Sequence, residues 1–276
     1  MKSGLSPRRP TLVAAAFALA FLIAPILVVI PVSFTPERYL SFPDGTLSLR
    51  HYQTALGDPV WLDAIETSLI VGLVSAAIAT GLALLLAVGL WLRPSRWRFV
   101  LTGLAAIPLI APQIVSGVVL YVADARLGLV ATHAGLILAH TILAAPYAVI
   151  ALGVGTARLD PALGRAAQSL GAGLWRTAWT VAVPNLRLPT AIAFGTAFAV
   201  SWEETVTTLL VSGASIATLP KRIWEGLRFN IDPAIAAIST LLIVLTVIIV
   251  LAARLISARV AREGSLRDDR PVPGHD

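Results

Sequence analysis

Five consecutive residues, Ser201-Trp202-Glu203-Glu204-Thr205, set two carboxylates beside an indole and two hydroxyls within an apolar stretch. Carboxylates so placed can attract a cation, relay a proton or hydrogen-bond a neighbouring helix, and the indole face offers a cation–π contact. His133 and His140 lie near one face of a helix and, with Ser116, Ser201 and Ser212, hold the residue types of a serine hydrolase. No Gly-x-Ser-x-Gly elbow accompanies them, so hydrogen bonding between helices is the better reading. Cysteine is absent and the four histidines, with His51 and His275, are scattered. Neither a disulfide framework, a metal centre nor a cofactor is expected. The two lysines are Lys2, after Met1, and Lys221, after Pro220. No Gly-Lys-Ser or Gly-Lys-Thr loop exists to cradle phosphates, so this chain is not expected to be an enzyme that hydrolyses nucleotides itself.

The chain that must position these groups has 276 residues, 57% hydrophobic and 13% charged, with a mean hydropathy of +0.83. Soluble domains carry about 25% charged residues, so the chain reads as an integral membrane protein. A helix needs about 20 apolar residues to cross a bilayer core, and six stretches are long enough: roughly 11–34, 65–92, 99–122, 129–157, 189–212 and 234–257. The predicted fold class is all-α, a polytopic membrane protein with about six transmembrane helices in one domain over 1–276. A β-barrel is excluded, because its strands would alternate where these runs are continuously apolar. The first stretch is too long for a signal-peptide core and lacks a small-residue cleavage site, so it is kept as a permanent span.

Basic clusters set the orientation. Lys2, Arg8 and Arg9, then Arg93, Arg96 and Arg98, then Arg158 to Arg187, then Arg254 to Arg270 fall on one side, predicted to be cytoplasmic with both termini. Glu37, Asp44, Asp58, Asp63, Glu66 and Asp124 fall on the other, where Lys221, Arg222 and Arg228 are a mild exception. The net charge of +6 therefore reads as topology and not as a nucleic-acid footprint. Asp124 and Arg126 are expected in a solvated turn. Trp61, Trp91, Trp97, Trp202 and Trp224 are expected in belts against membrane lipid. Pro108, Pro112 and Pro146 fall inside spans, where each removes a helix bond and makes either a plain kink or a flexible gate. The outer segment 35–64 should be irregular with a short helix near 49–56, and the charged tail 259–276 should lie in the cytoplasm.

The inner segment 158–189 joins the fourth and fifth spans. Asp160 followed by Pro161 is a strong helix start, since the carboxylate can cap free N–H groups and proline at the first position gives up a donor that was unpaired anyway. Leu163, Ala167, Leu170 and Leu174 recur with helical spacing, and Gly171 and Gly173 permit a turn, after which Pro184 and Pro189 close the segment. From composition alone such a helix is an interfacial anchor.

The run Ala166-Ala167-Gln168-Ser169-Leu170-Gly171-Ala172, continuing through Trp175 and Val181 to Pro184, resembles the EAA loop of ABC-importer permeases, and the resemblance extends from about Leu62 to Ile256. In that family the loop forms a coupling helix that docks into a groove on a cytoplasmic ATPase. The resemblance implies the type I permease architecture, with Asp160, Leu163, Arg165, Ala166, Ala167, Leu170, Gly171 and Leu174 as the coupling contact. Arg165 stands where the family usually has Glu, so that residue's role does not carry over.

Ser201 to Thr205, followed by Leu219-Pro220-Lys221-Arg222-Ile223-Trp224, resembles the spermidine/putrescine-type subgroup, in which an acidic pair lies late in the fifth span. The implied partners are cytoplasmic ATPase subunits, a second permease subunit that is a different chain, and a periplasmic or extracellular solute-binding protein, with no nucleic acid. The implied location is a bacterial inner membrane, and the implied cargo a small solute such as a polyamine or another cationic, amine-bearing compound. Ser201, Trp202, Glu203 and Glu204 are the candidates for the substrate path, with an interhelical polar clamp as the competing role. An ion-coupled secondary transporter using Glu203 and Glu204 is the alternative function, though no inverted repeat accompanies it.

Overall fold

The computed structural model describes residues 9–229, 232–244 and 247–248, which form helices and no strand among the described residues. The first are α1 (Arg9–Val32), α2 (Arg50–Gly57), α3 (Pro59–Leu92), α4 (Arg98–Ile110), α5 (Gln113–Leu127) and α6 (His133–Ala157). They continue as α7 (Pro161–Ser169), α8 (Leu174–Thr177), a π turn (Ala178–Ala182), α9 (Val183–Asn185), α10 (Arg187–Glu203), α11 (Val206–Val211), α12 (Leu219–Phe229) and α13 (Ala234–Val244). Helix α1, α3 and α6 are each long and apolar enough to cross a membrane, and α4 with α5 makes a fourth span if the bent pair counts as one. The sixth expected span begins as α13, most of its remainder and the tail 259–276 lying outside the described residues.

Two spans expected as single helices are broken. The stretch 99–122 divides into α4 and α5, bent by 109°. Pro112 causes the break: it bars helical dihedrals at the residue before it, and Ala111 is extended at φ −73°, ψ 137°. The stretch 189–212 divides into α10 and α11 at Glu204 and Thr205. By contrast Pro184 and Pro189 do not close the inner segment. The π turn makes Val183 donate five residues back to Ala178, so the helical path widens where Pro184 brings no donor, and Asn185 Nδ2 donates to the Val181 carbonyl at 2.7 Å. Pro189 then sits in the first turn of α10, where a proline costs little.

The chain divides into two units, one of the residues up to Asp58 with those from Gly226 on, the other Pro59–Glu225. In the first, α1 leads through a turn to α2. Ser33 Oγ lies 2.6 Å from the Tyr52 hydroxyl and His51 Nε2 lies 2.8 Å from the Glu37 carbonyl oxygen. The irregular outer segment is shorter than expected, because α3 already starts at Pro59.

The second unit is built on α3, α6 and α10, which pack on one another. Their common seam is almost all alanine: Ala76, Ala79 and Ala83 meet Ala144, Ala148 and Leu152, and Ala193 and Ala197. Small residues let backbones approach where lipid leaves no hydrophobic drive between helices. A Cβ on Gly155 would fall 2.5 Å from Pro189 Cβ, so only glycine admits α10 this close to α6. At the other end Val71, Leu120, Leu136, Ala139, Val211 and Ile216 pack α5 and α11 against α3 and α6. Ala79 is fully buried in the seam, whereas Leu82, one turn on, is 55% exposed. Ala79→Leu is expected to cost about 1–3 kcal/mol by overpacking, and Leu82→Ala about 0.5 kcal/mol or less. Thermal unfolding in detergent micelles checks both.

Candidate functional site

The breaks in the two divided spans meet. Gln113 is the first residue of α5, directly after the proline that ends α4, and its Nε2 donates to Glu204 Oε2 at 2.8 Å. The other carboxylate oxygen accepts the Thr207 backbone N–H at 2.7 Å, which caps the first turn of α11. A helix start leaves its first N–H groups without partners, so one side chain both caps α11 and ties it to α5. Gly117 lets α5 lie close against α11, since a Cβ there would fall 2.8 Å from Leu210 Cδ1. Glu204 is 4% exposed.

His140 extends the cluster into α6. Its Nδ1 lies 2.7 Å from Ser201 Oγ and its Nε2 3.0 Å from Thr208 Oγ1, and the ring is buried. Thr208 donates its one hydroxyl proton to the Glu204 carbonyl at 3.0 Å. Its oxygen must therefore accept from His140, which assigns a proton to Nε2 and leaves Ser201 to donate to Nδ1 when the ring carries one proton. This matches the expected interhelical role of the histidine. His133, the first residue of α6, is not part of the cluster.

The four path candidates thus divide. Ser201 and Glu204 turn inward and are committed to His140, Gln113 and the α11 cap. Trp202 is half-buried with its ring centroid 5.4 Å from that of Phe198, and Glu203 is exposed. Adjacent helical residues point about 100° apart, so one carboxylate clamps and the other faces out.

At the opposite end of the bundle α7 bears the expected marks. Asp160 accepts the Ala162 N–H at 2.8 Å and Pro161 opens the helix. Gly171 has φ +86°, its N–H donates to the Gln168 carbonyl at 2.9 Å, and Ala172 N–H donates to Ala167 at 3.0 Å. That bond pair is a Schellman end, for which glycine is the least strained residue. Leu163, Arg165 and Ala166 are exposed, Leu170 is 89% exposed, and Ala167 and Leu174 are half-buried.

Four residues depart from the sequence expectation, Trp61 among them: expected in a lipid belt, it is buried at 5% exposure. Asp124 is not in a solvated turn: it is buried in the last turn of α5, because the link Gly128–Thr132 folds back over it and α6 starts beside it, its Oδ2 within 2.9 Å of a Cβ built on Gly135. Trp91 turns inward instead of joining a lipid belt, donating from Nε1 to the Leu159 carbonyl at 3.2 Å. Lys221 is buried and donates to Ser212 Oγ at 2.8 Å, to the Ile216 carbonyl at 2.9 Å and to the Gly213 carbonyl. Burial pushes its ammonium below the ordinary lysine range, and Glu225 at 3.8 Å pulls it back up. It staples the turn after α11, a role its place among loop charges concealed.

Glu204→Ala removes the acceptor of Gln113 and of the α11 cap and is expected to cost about 1–3 kcal/mol. Glu203→Ala, at an exposed site, should stay within about 0.5 kcal/mol of the parent. Thermal unfolding of the two variants side by side is the measurement.

Known proteins bear on this arrangement. Over 249 residues the chain is 26% identical to the spermidine/putrescine transport system permease protein PotC of Escherichia coli K12, covering 90% of this chain and 94% of that one. It is 28% identical over 235 residues to the putrescine transport system permease protein PotI of the same strain, covering 81% and 82%. It is 36% identical over 208 residues to the molybdenum transport system permease protein ModB of Mycobacterium bovis, covering 67% and 77%. A solved bacterial ABC transporter involved in the import of the acidic polysaccharide alginate superposes with a TM-score of 0.66 at 11% identity, over 89% of this chain and 93% of that one, which fixes the likeness of fold. Residues 79–262 match the family of binding-protein-dependent transport system inner membrane components, and the chain belongs to that family.

Proposed function

We propose that this chain is the transmembrane subunit of an ATP-driven importer for a small amine-bearing cation, polyamines included. The observation that carries the cargo class is the exposed Glu203 beside Trp202, a carboxylate left uncommitted where Glu204 is spent on the clamp. The polyamine relatives, which match most of the chain, support the same reading. The molybdenum relative carries a different cargo by its name and matches less of the chain. ATP hydrolysis belongs to separate cytoplasmic subunits, since neither lysine stands in a phosphate-cradling loop. A second permease chain and a solute-binding protein complete the assembly, with α7 and both termini on the cytoplasmic side. Ion-coupled transport loses its basis, because family membership assigns the chain to a multi-component system and Glu204 is a cap.

The cargo is tested with the whole transporter in proteoliposomes. Glu203→Gln should preserve assembly and lower spermidine or putrescine uptake about tenfold, a loss of roughly 1.4 kcal/mol. Parental uptake by that variant, or a cognate binding protein that holds only molybdate, overturns the cation reading.

The 158–189 segment is the ATPase contact in this proposal, and α7 is its docking helix. Its exposed apolar residues Leu163 and Leu170 suit a partner groove. Gly171→Pro cannot adopt φ +86° and deletes the N–H that closes the Schellman end. The variant should insert normally and hydrolyse ATP without proportionate uptake; an unchanged ratio of uptake to hydrolysis would count against the segment.

A further inference from the structure

Only one residue of α7 is buried, and it has no side chain. Gly164 is covered by the indole of Trp91: a Cβ built on the glycine would lie 3.0 Å from Cη2, 3.4 Å from Cζ3 and 3.5 Å from Cζ2 of that ring. The same indole donates from Nε1 to the carbonyl of Leu159, in the link between α6 and α7. Its base stands in the last turn of α3, packed with Leu92 and Leu159 against the cluster of Val88, Ala178, Ala182 and Leu186. One flat, stiff side chain therefore touches the end of a long span, the link leaving α6, the helix α7 and the wall made by the π turn and Leu186 beyond it.

We infer that Trp91 is a positioning residue for transport, the joint through which displacement of α7 passes into α3, with Gly164 as its seat. The inference rests on the reading of α7 as the ATPase contact. Three observations carry it independently of one another. The seat is cut to the ring, since even one methyl on Gly164 crowds it. The ring is pinned by a hydrogen bond to the very link that must move with α7. Beside the ring lies a cavity of about 270 Å³, lined among others by Leu90, Pro94, Arg98, Thr102, Thr156 and Pro161, which gives the corner between α3 and α4 room to swing. Without the indole, α7 would keep its packing on α8 and the π turn but lose the side chain that bridges it to the end of α3, and a push on it would reach that span less directly.

The test uses the complete transporter in proteoliposomes and reads solute taken up per ATP hydrolysed, alongside pull-down of the ATPase. Trp91→Ala should retain the ATPase and lose roughly tenfold in that ratio, within the range that coupling residues command. Gly164→Ala should lower the ratio, because the added methyl unseats the ring, and Trp91→Phe, which keeps an aromatic ring but loses the bond to the Leu159 carbonyl, should lower it less than Trp91→Ala does. A merely structural role would reduce yield and leave the ratio alone. A parental ratio in Trp91→Ala overturns the inference; should that variant fail to fold, parental ratios in both Trp91→Phe and Gly164→Ala do so. Leu163→Ser with Leu170→Ser separates the two levels. Loss of ATPase capture with a parental ratio in Trp91→Ala defeats the joint alone, and undiminished capture defeats the docking reading together with the joint built on it.

Discussion

A peptide group freed from a helix inside an apolar phase has no water to bond, and each unsatisfied group there costs several kcal/mol. That constraint governs this structure, because two of its spans are interrupted. The remedy is to bring the interruptions together. Pro112 ends α4 and leaves Gln113 at the head of α5, and the break after Glu203 leaves Glu204 at the head of α11. One hydrogen bond joins them, while the free carboxylate oxygen caps the new helix and His140 ties the preceding turn to the following one. Removing the carboxylate would expose two defects at once, which is why the clamp binds α5, α6, α10 and α11 as a unit.

The same constraint explains how adjacent acids come to differ. A carboxylate spent on a backbone N–H and a side-chain amide is an architectural element, and its neighbour, rotated away along the helix, is left with its charge unassigned. The path role proposed for Glu203 needs a charge that is fixed in place yet not consumed by the fold. The clamp gives Glu203 a rigid base on the final turn of α10 without engaging its side chain.

Legibility in the sequence followed the range of the interactions. The α7 start and end were readable because Asp160, Pro161 and Gly171 act on their own backbone within a few residues. The all-helical class and the positions of α1, α3 and α6, three of the six expected spans, followed from apolar run length, and the family from the spacing of its loop. Contacts between distant positions left no such trace. Gln113 and Glu204 are 91 residues apart, and the proline before Gln113 announced a kink without announcing its partner. Trp91 and Asp124 were misassigned for one reason: near a span end, composition favours an interface or a turn, and only the fold of the next segment over them decides otherwise. Pro184 misled because the π turn that accommodates it has no local signature.

The alanine seam has a mechanical meaning apart from closeness. Leucine and phenylalanine interlock as knobs in holes, so sliding one helix past another must lift each knob from its socket. A seam of methyl groups, as between Ala76, Ala79 and Ala83 on α3 and Ala144, Ala148, Ala193 and Ala197 on its neighbours, presents shallow corrugation. Small displacements along it keep nearly all dispersion contact, whereas separation across it loses that contact everywhere at once. Within this methyl layer the three helices are stiff against pulling apart and offer little resistance to shear, so the interlocking falls to the two sockets beyond it, where Phe198 lies on Gly72 and Pro189 on Gly155.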